Sequence, residues 1–162
     1  MTNLIGCDLV SSFFNIIHKD FRFNNGDVTM PSLKVSLLTG RTLRQGQGKE
    51  YGKLSERYWK SVAICEMDPN DMTNLRVKEN NPVKITTNYG SVVVRAVKSL
   101  RAPHAGKAFV PYGPWASIIV DPQTHGTGMP SFKGVQATIE PASKLEKVLN
   151  VPELLQRHYR KE

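Results

Sequence analysis

Two segments gather residues that could hold a ligand, and neither carries a group that would attack one. The first is Leu37–Ser55 (LLTGRTLRQGQGKEYGKLS). It sets Gly40, Gly46, Gly48 and Gly52 among Arg41, Arg44, Gln45 and Gln47 at the end of an apolar run. Glycine lets backbone N–H groups approach an anion without side-chain obstruction. Each guanidinium adds a charge-assisted fork of about 1.5–3 kcal/mol per hydrogen bond. Composition leaves two readings open, an anion-binding loop and a solvated one. The second segment is Tyr112–Gly134 (YGPWASIIVDPQTHGTGMPSFKG). It places Tyr112, Trp115, Phe132, turn-forming Gly and Pro, and the cation Lys133 on either side of the apolar run Ser117–Val120. It is either a loop that packs on itself through Trp115 or one wall of a ligand site.

Other chemistry is poorly represented. His18, His104, His125 and His158 have no metal-ligand spacing, and there is neither a phosphate-binding GxxxxGK loop nor a GxSxG elbow. Gly90-Ser91 has the form of a self-processing bond but sits where a hairpin turn is expected. Cys7 and Cys65 lie far apart with no CxxC partner, so neither a disulfide framework nor a zinc site is indicated. Cys65, within VAICEM, reads as a small buried hydrophobe. Asp68 and Asp71 read as a helix cap and a first-turn carboxylate. No catalytic residue and no metal ligand is expected from this chain.

The elements that must position the two segments follow from periodicity. At 162 residues and 40% hydrophobic, the chain fits one core. Residues 1–31 form an N-terminal extension with Ile5, Leu9, Phe13, Ile16 and Ile17 near helical spacing, expected as a short amphipathic helix. Residues 32–141 read as β-rich. Strands are expected over Leu33–Gly40, Ser61–Met67, Lys107–Gly113 and Gly134–Pro141, with a hairpin over Pro82–Ser99 turning near Asn88–Gly90. Asp68–Val77 supplies one short helix, with an Asp cap and Pro at its start. Many short strands with a single helix imply a small barrel. Residues 142–162 return to helical spacing through Leu145, Val148 and Leu149, then Leu154, Leu155 and Tyr159, with Pro152 opening a second helix.

Lys and Arg total 22 against 14 Asp and Glu, a net charge of +8 that favours an anionic partner. Leu4–Phe23 is interrupted by Asp8, Asn15, His18, Lys19, Asp20 and Arg22, which excludes a membrane span, and a signal peptide's basic start and cleavage site are missing. Sparse, unpaired cysteines fit a reducing, cytoplasmic setting.

Three stretches carry a resemblance: LLTGRTLRQGQ, AICEMDPNDMTNLRVKENNPVKITTNYGSVVVRA and VPYGPWASIIVDPQTHGTGMPSFKGVQATIEP. In that order, from about Ser32 to Pro141, they resemble the molybdopterin dinucleotide-binding domain of molybdenum and tungsten oxidoreductases. The form is that of the separate small subunit found in formylmethanofuran dehydrogenases of methanogenic archaea. The resemblance implies a mainly β fold, a double-psi β-barrel. It implies a tungsten or molybdenum bis(pyranopterin guanine dinucleotide), shared with a large catalytic subunit that carries the metal's protein ligand and iron–sulfur centres. The implied contacts are Thr39, Gly40, Arg41, Thr42, Gln45 and Gln47 in the first segment. In the second they are Tyr112, Gly113, Trp115, Ser117, Gly128, Met129, Pro130, Phe132 and Lys133, with Trp115 packing the lid. Many relatives place Asn where this chain has Ser117. The implied activity of the assembly is reduction of carbon dioxide to formate, which a further subunit then condenses with methanofuran.

Two other classes compete. A double-psi barrel acting as a peptide-binding adaptor explains the fold but leaves GRTLRQG and GTGMPSFK without a task. A nucleic-acid-binding barrel explains the charge, yet few aromatics fall on the expected strands, which argues against base stacking.

Overall fold

In the computed structural model of the protein, which describes residues 30–159, the apolar runs form six strands. These are β1 (Leu33–Gly40), β2 (Ile64–Met67), β3 (Pro82–Thr86), β4 (Ser91–Lys98), β5 (Lys107–Pro111) and β6 (Lys133–Pro141). Alternation decides which face each residue takes: in β1, Val35, Leu37 and Thr39 are buried while their neighbours are not. The strands close into a barrel in the order β1-β5-β2-β4-β3-β6. β1 with β5 and β2 with β4 run parallel, and the other pairs run antiparallel.

The order has an internal two-fold relation. Exchanging each strand with the one three places along in the chain carries the β1/β5 pair onto β4/β2 and the β1/β6 pair onto β4/β3. This is the double-psi β-barrel expected from the sequence. Leu37, Cys65, Val83, Ile85, Val94, Val110 and Ile139 are fully buried in its core. Burial pushes the Cys65 thiol up to about 12, so it packs as an uncharged group.

The helices depart from expectation. The expected one is present as α3 (Pro69–Asn74), capped by the Asp68 carboxylate accepting from Asn70 N at 2.9 Å. Three more lie within residues 32–141: α1 (Leu43–Glu50), α2 (Glu56–Val62) and α4 (Pro114–Ile119). The stretch read as a glycine loop is thus largely α1. Thr42 Oγ1 caps it by accepting from Gln45 N at 3.1 Å, and buried Gly48 packs it on α2. Ser61 and Val62, expected to open the second strand, close α2 instead, and Ser55 caps that helix.

The tail also differs. Residues 142–150 are turn and irregular rather than helical, and α5 (Val151–Tyr159) forms with Val151, not Pro152, as its first residue. Tertiary contact holds the preceding chain out of a helix. Trp59 Nε1 donates to Leu149 O at 3.0 Å, while Val148 and Leu149 pack against the core. The helix expected within residues 1–31 lies outside the described residues.

Candidate functional site

β1 and β5 end side by side, with Gly40 opposite Pro111. Beyond those ends lies a cleft of about 770 Å³ lined by Thr39, Gly40, Arg41, Tyr112, Gly113, Ala116, Ser117, Met129, Pro130, Phe132 and Lys133. Three chain segments separated in sequence therefore meet at one end of the barrel.

Hydrogen bonds tie those segments together. Thr39 donates twice to Phe132 O, from its backbone N at 2.9 Å and its hydroxyl at 3.0 Å. Tyr112 N donates to Gly40 O at 2.8 Å, and Gln45 Nε2 donates to Tyr112 O at 2.8 Å. Each joint ends on a backbone carbonyl, reached twice from a backbone N–H and twice from a side chain, Thr39 and Gln45. The segment before β6 owes its placement to a bulge. Register shifts between Leu37, opposite Val135, and Leu38, opposite Lys133, leaving Gly134 as the extra residue with φ +76°. Glycine adopts that left-handed conformation without strain, and the bulge re-aims the chain so that Lys133 lines the cleft.

The floor is set by α4. Gly113 passes so close to α2 that a Cβ there would stand 2.3 Å from Val62 Cγ1. Pro114 then starts the helix, and Ser117 donates to Gly113 O from both its backbone N (3.0 Å) and its hydroxyl (3.1 Å). On the far side, Thr87 Oγ1 donates to Ile119 O at 2.9 Å, clamping the helix end to the β3–β4 turn. The loop between α4 and the cleft's outer wall is ordered around Asp121. Its carboxylate accepts from Gln123 N at 2.9 Å and from the Tyr89 hydroxyl at 3.2 Å. Those donors, the Gln123 amide first, hold the Asp121 carboxyl below its ordinary range, with His125 adding to the effect.

The lining determines what the cleft can do. Arg41 and Lys133 form no ion pair among the described residues. The Tyr112 and Phe132 rings stand 4.5 Å apart between centroids and 50° from parallel, giving apolar faces beside the two cations. Among the described residues, no Cys, His, Asp or Glu lines the cleft, and no group of three such residues suited to a metal occurs. The cleft can therefore hold an anion with a planar part.

The residues singled out in the sequence divide accordingly. Thr39, Gly40, Arg41, Tyr112, Gly113, Ser117, Met129, Pro130, Phe132 and Lys133 are brought together. Trp115 is not: its side chain is fully buried in the core, so it supports α4 from beneath rather than covering the cleft. Gln45 is committed to Tyr112 O, and Thr42 to the α1 cap. Gln47 lines a separate depression with Arg44, Arg57 and Lys60, because the helix turns it away from its neighbours. Gly128, at φ +73°, shapes the loop without lining the cleft. Ala116 also lines the cleft, and sequence reasoning misses it because a lone Ala carries no chemical signal.

Comparison with known proteins shows the family. A family model described as "Molydopterin dinucleotide binding domain" matches residues 35–136. The chain is 38% identical over 128 residues to "Protein FwdD" of Methanocaldococcus jannaschii, covering 78% of this chain and 96% of that protein. It is 34% identical over 132 residues to a subunit of the molybdenum-containing formylmethanofuran dehydrogenase 1 of Methanothermobacter thermautotrophicus. That match takes in 81% of this chain and 32% of the relative, so the chain is similar to one part of a longer protein.

Proposed function

This chain belongs to the molybdopterin dinucleotide-binding domain family, and from that premise we propose that it is a small accessory subunit of a formylmethanofuran dehydrogenase. Its work there is to hold part of a molybdenum or tungsten bis(pyranopterin guanine dinucleotide) that is shared with a large catalytic subunit. The observation that carries the reading is the convergence of Arg41, Lys133, Tyr112, Phe132 and Ser117 from three distant segments on one cleft.

The residues present fit such a group. Its pyrophosphate is anionic and its rings are planar, matching two cations beside two aromatic faces. In this reading the partner subunit supplies the metal's protein ligand. When bound, the metal centre supplies the redox chemistry that reduces carbon dioxide to formate, ahead of formylmethanofuran formation in methanogenesis. The residues of this chain act on position and charge. Arg41 and Lys133 offset negative charge on the bound dinucleotide, and the Ser117 hydroxyl adds a polar contact on the α4 side. Thr39, locked to Phe132 O, keeps the two walls at a fixed separation. No helix among the described residues is long and apolar enough to cross a membrane, and the reading places the protein in a cytoplasmic complex.

Pterin and metal content per complex, measured on the purified native assembly after extensive desalting, tests this. Arg41→Ala and Lys133→Ala should each reduce retained dinucleotide by roughly 10-fold or more, the effect of losing a charged hydrogen-bond donor. A wild-type assembly containing neither pterin nor molybdenum or tungsten would sink the proposal.

A further inference from the structure

A second cleft, of about 420 Å³, shares only Arg41 with the first. It lies over β1, β2 and β5, with Leu38, Leu43 and Phe109 as its apolar surface and Arg41, Arg101 and Lys107 as its cations. Glu66 is its single carboxylate among the described residues. None of the three cations forms an ion pair among those residues. We propose that this cleft docks an acidic segment of a partner subunit, one that brings an apolar side chain to Phe109 and Leu43 and carboxylates to Arg101 and Lys107. The inference rests on the accessory-subunit reading above, because it needs an assembly to supply the partner.

The cationic rim is built on fixed backbone. Two buried carboxylates pin the loop that joins β4 to β5: Asp68 Oδ2 accepts from His104 N at 2.8 Å, and Asp71 Oδ2 accepts from Gly106 N at 2.8 Å. At the loop's other end, Ser99 N donates to Met67 O at 2.9 Å. Arg101 and Lys107 therefore stand on chain that is already ordered, which lowers the cost of presenting them to a partner.

The character of the lining favours a protein segment over a small anion. Small-ligand sites rely on a few buried polar groups converging on the ligand. Here Glu66 stands among the cations, where the first cleft has no carboxylate among its described lining, and buried Ser99 has its hydroxyl engaged as acceptor from Arg101 N at 3.2 Å. Protein interfaces instead combine apolar anchors with an exposed charged rim whose sign complements the partner. Leu43 fits the anchor's counterpart, being 78% exposed on the first turn of α1 while lining the cleft. Glu66 beside the cations disfavours a polyphosphate and leaves room for one basic residue in an otherwise acidic segment.

Zero-length carbodiimide coupling of the native complex, read by mass spectrometry, tests the contact directly because it joins a lysine amine only to a carboxylate within contact distance. Lys107 should couple to an Asp or Glu of another subunit. Arg101→Glu with Lys107→Glu, in full-length protein whose melting temperature matches the wild type, should weaken assembly roughly 100-fold at low salt. The loss should shrink as salt rises. Inorganic pyrophosphate, titrated into the free chain, should bind no better to wild type than to that variant. Lys107 coupling only within its own chain, or unchanged assembly of the variant, overturns the inference while leaving the accessory-subunit reading intact. Tight pyrophosphate binding lost in the variant marks a small-anion site and overturns it too. A chain that copurifies with no partner refutes both.

Discussion

Asp68 caps α3 with one carboxylate oxygen and holds the β4–β5 loop with the other, through Asn70 N and His104 N. These donors, the His104 amide first, lower its pKa from the ordinary carboxyl value. The native value lies below the unfolded one, about 3.9. The stabilisation is therefore present above that pH and is lost as pH falls through the native value. Asp68→Asn should melt at a lower temperature than wild type near neutrality, with the two curves converging in acid, and amide exchange at His104 should speed up. Melting curves of equal separation from pH 7 to pH 2 would contradict this account. Single residues also mark how far the sequence can be read. The Asp68 cap is visible from Asp-Pro followed by apolar spacing. For Trp115 the sequence leaves self-packing and a wall of the site both open; the side chain is fully buried, on a six-residue helix too short to show in apolar spacing.

α1 runs through two glycines, Gly46 and Gly48, and they answer to opposite pressures. A Cβ at Gly46 would meet nothing within 4 Å, whereas one at Gly48 would stand 2.9 Å from Ser61 Oγ and 3.0 Å from Tyr58 Cα. Alanine lowers the conformational cost of a helix interior by roughly 0.5–1 kcal/mol. Gly46→Ala should therefore raise stability by that amount in denaturant titration. Gly48→Ala should lower it by about 1–3 kcal/mol, since backbone at Tyr58 must yield. Equal effects of the two changes would mean that α1 does not pack on α2 as described. This pair also explains why α1 is invisible in the sequence. Its residues, LRQGQGKE, include two helix-weakening glycines and no apolar stripe, and the helix is held by a cap and by close packing on a neighbour. Strands are more legible, since alternation is a local property: Leu33–Gly40 matches its expected bounds to the residue, and Lys107 and Pro141 are strand ends as expected. Residues 142–150 fail in the other direction. Their apolar spacing suits a helix, yet Trp59 captures Leu149 O.

The closed barrel joins mostly distant parts of the chain. β1 pairs with β5 and β6, β2 with β4 and β5, and β3 with β4 and β6. Apart from the β3–β4 hairpin, every pairing spans a long stretch of sequence. Such a topology has high contact order, which places its folding in the range of milliseconds to seconds; stopped-flow refolding on the microsecond scale would contradict the strand order. The two-fold relation among the strands has a sharper result. Since no strand pairs within its own group of three, a chain cut in the turn at residues 87–90 becomes two fragments, neither able to form a single rung of this sheet by itself. Circular dichroism should show each fragment without strand signal and their equimolar mixture as the barrel. Each half of the molecule is thus the obligate template for the other, and the chain behaves as a heterodimer whose halves happen to be covalently tethered.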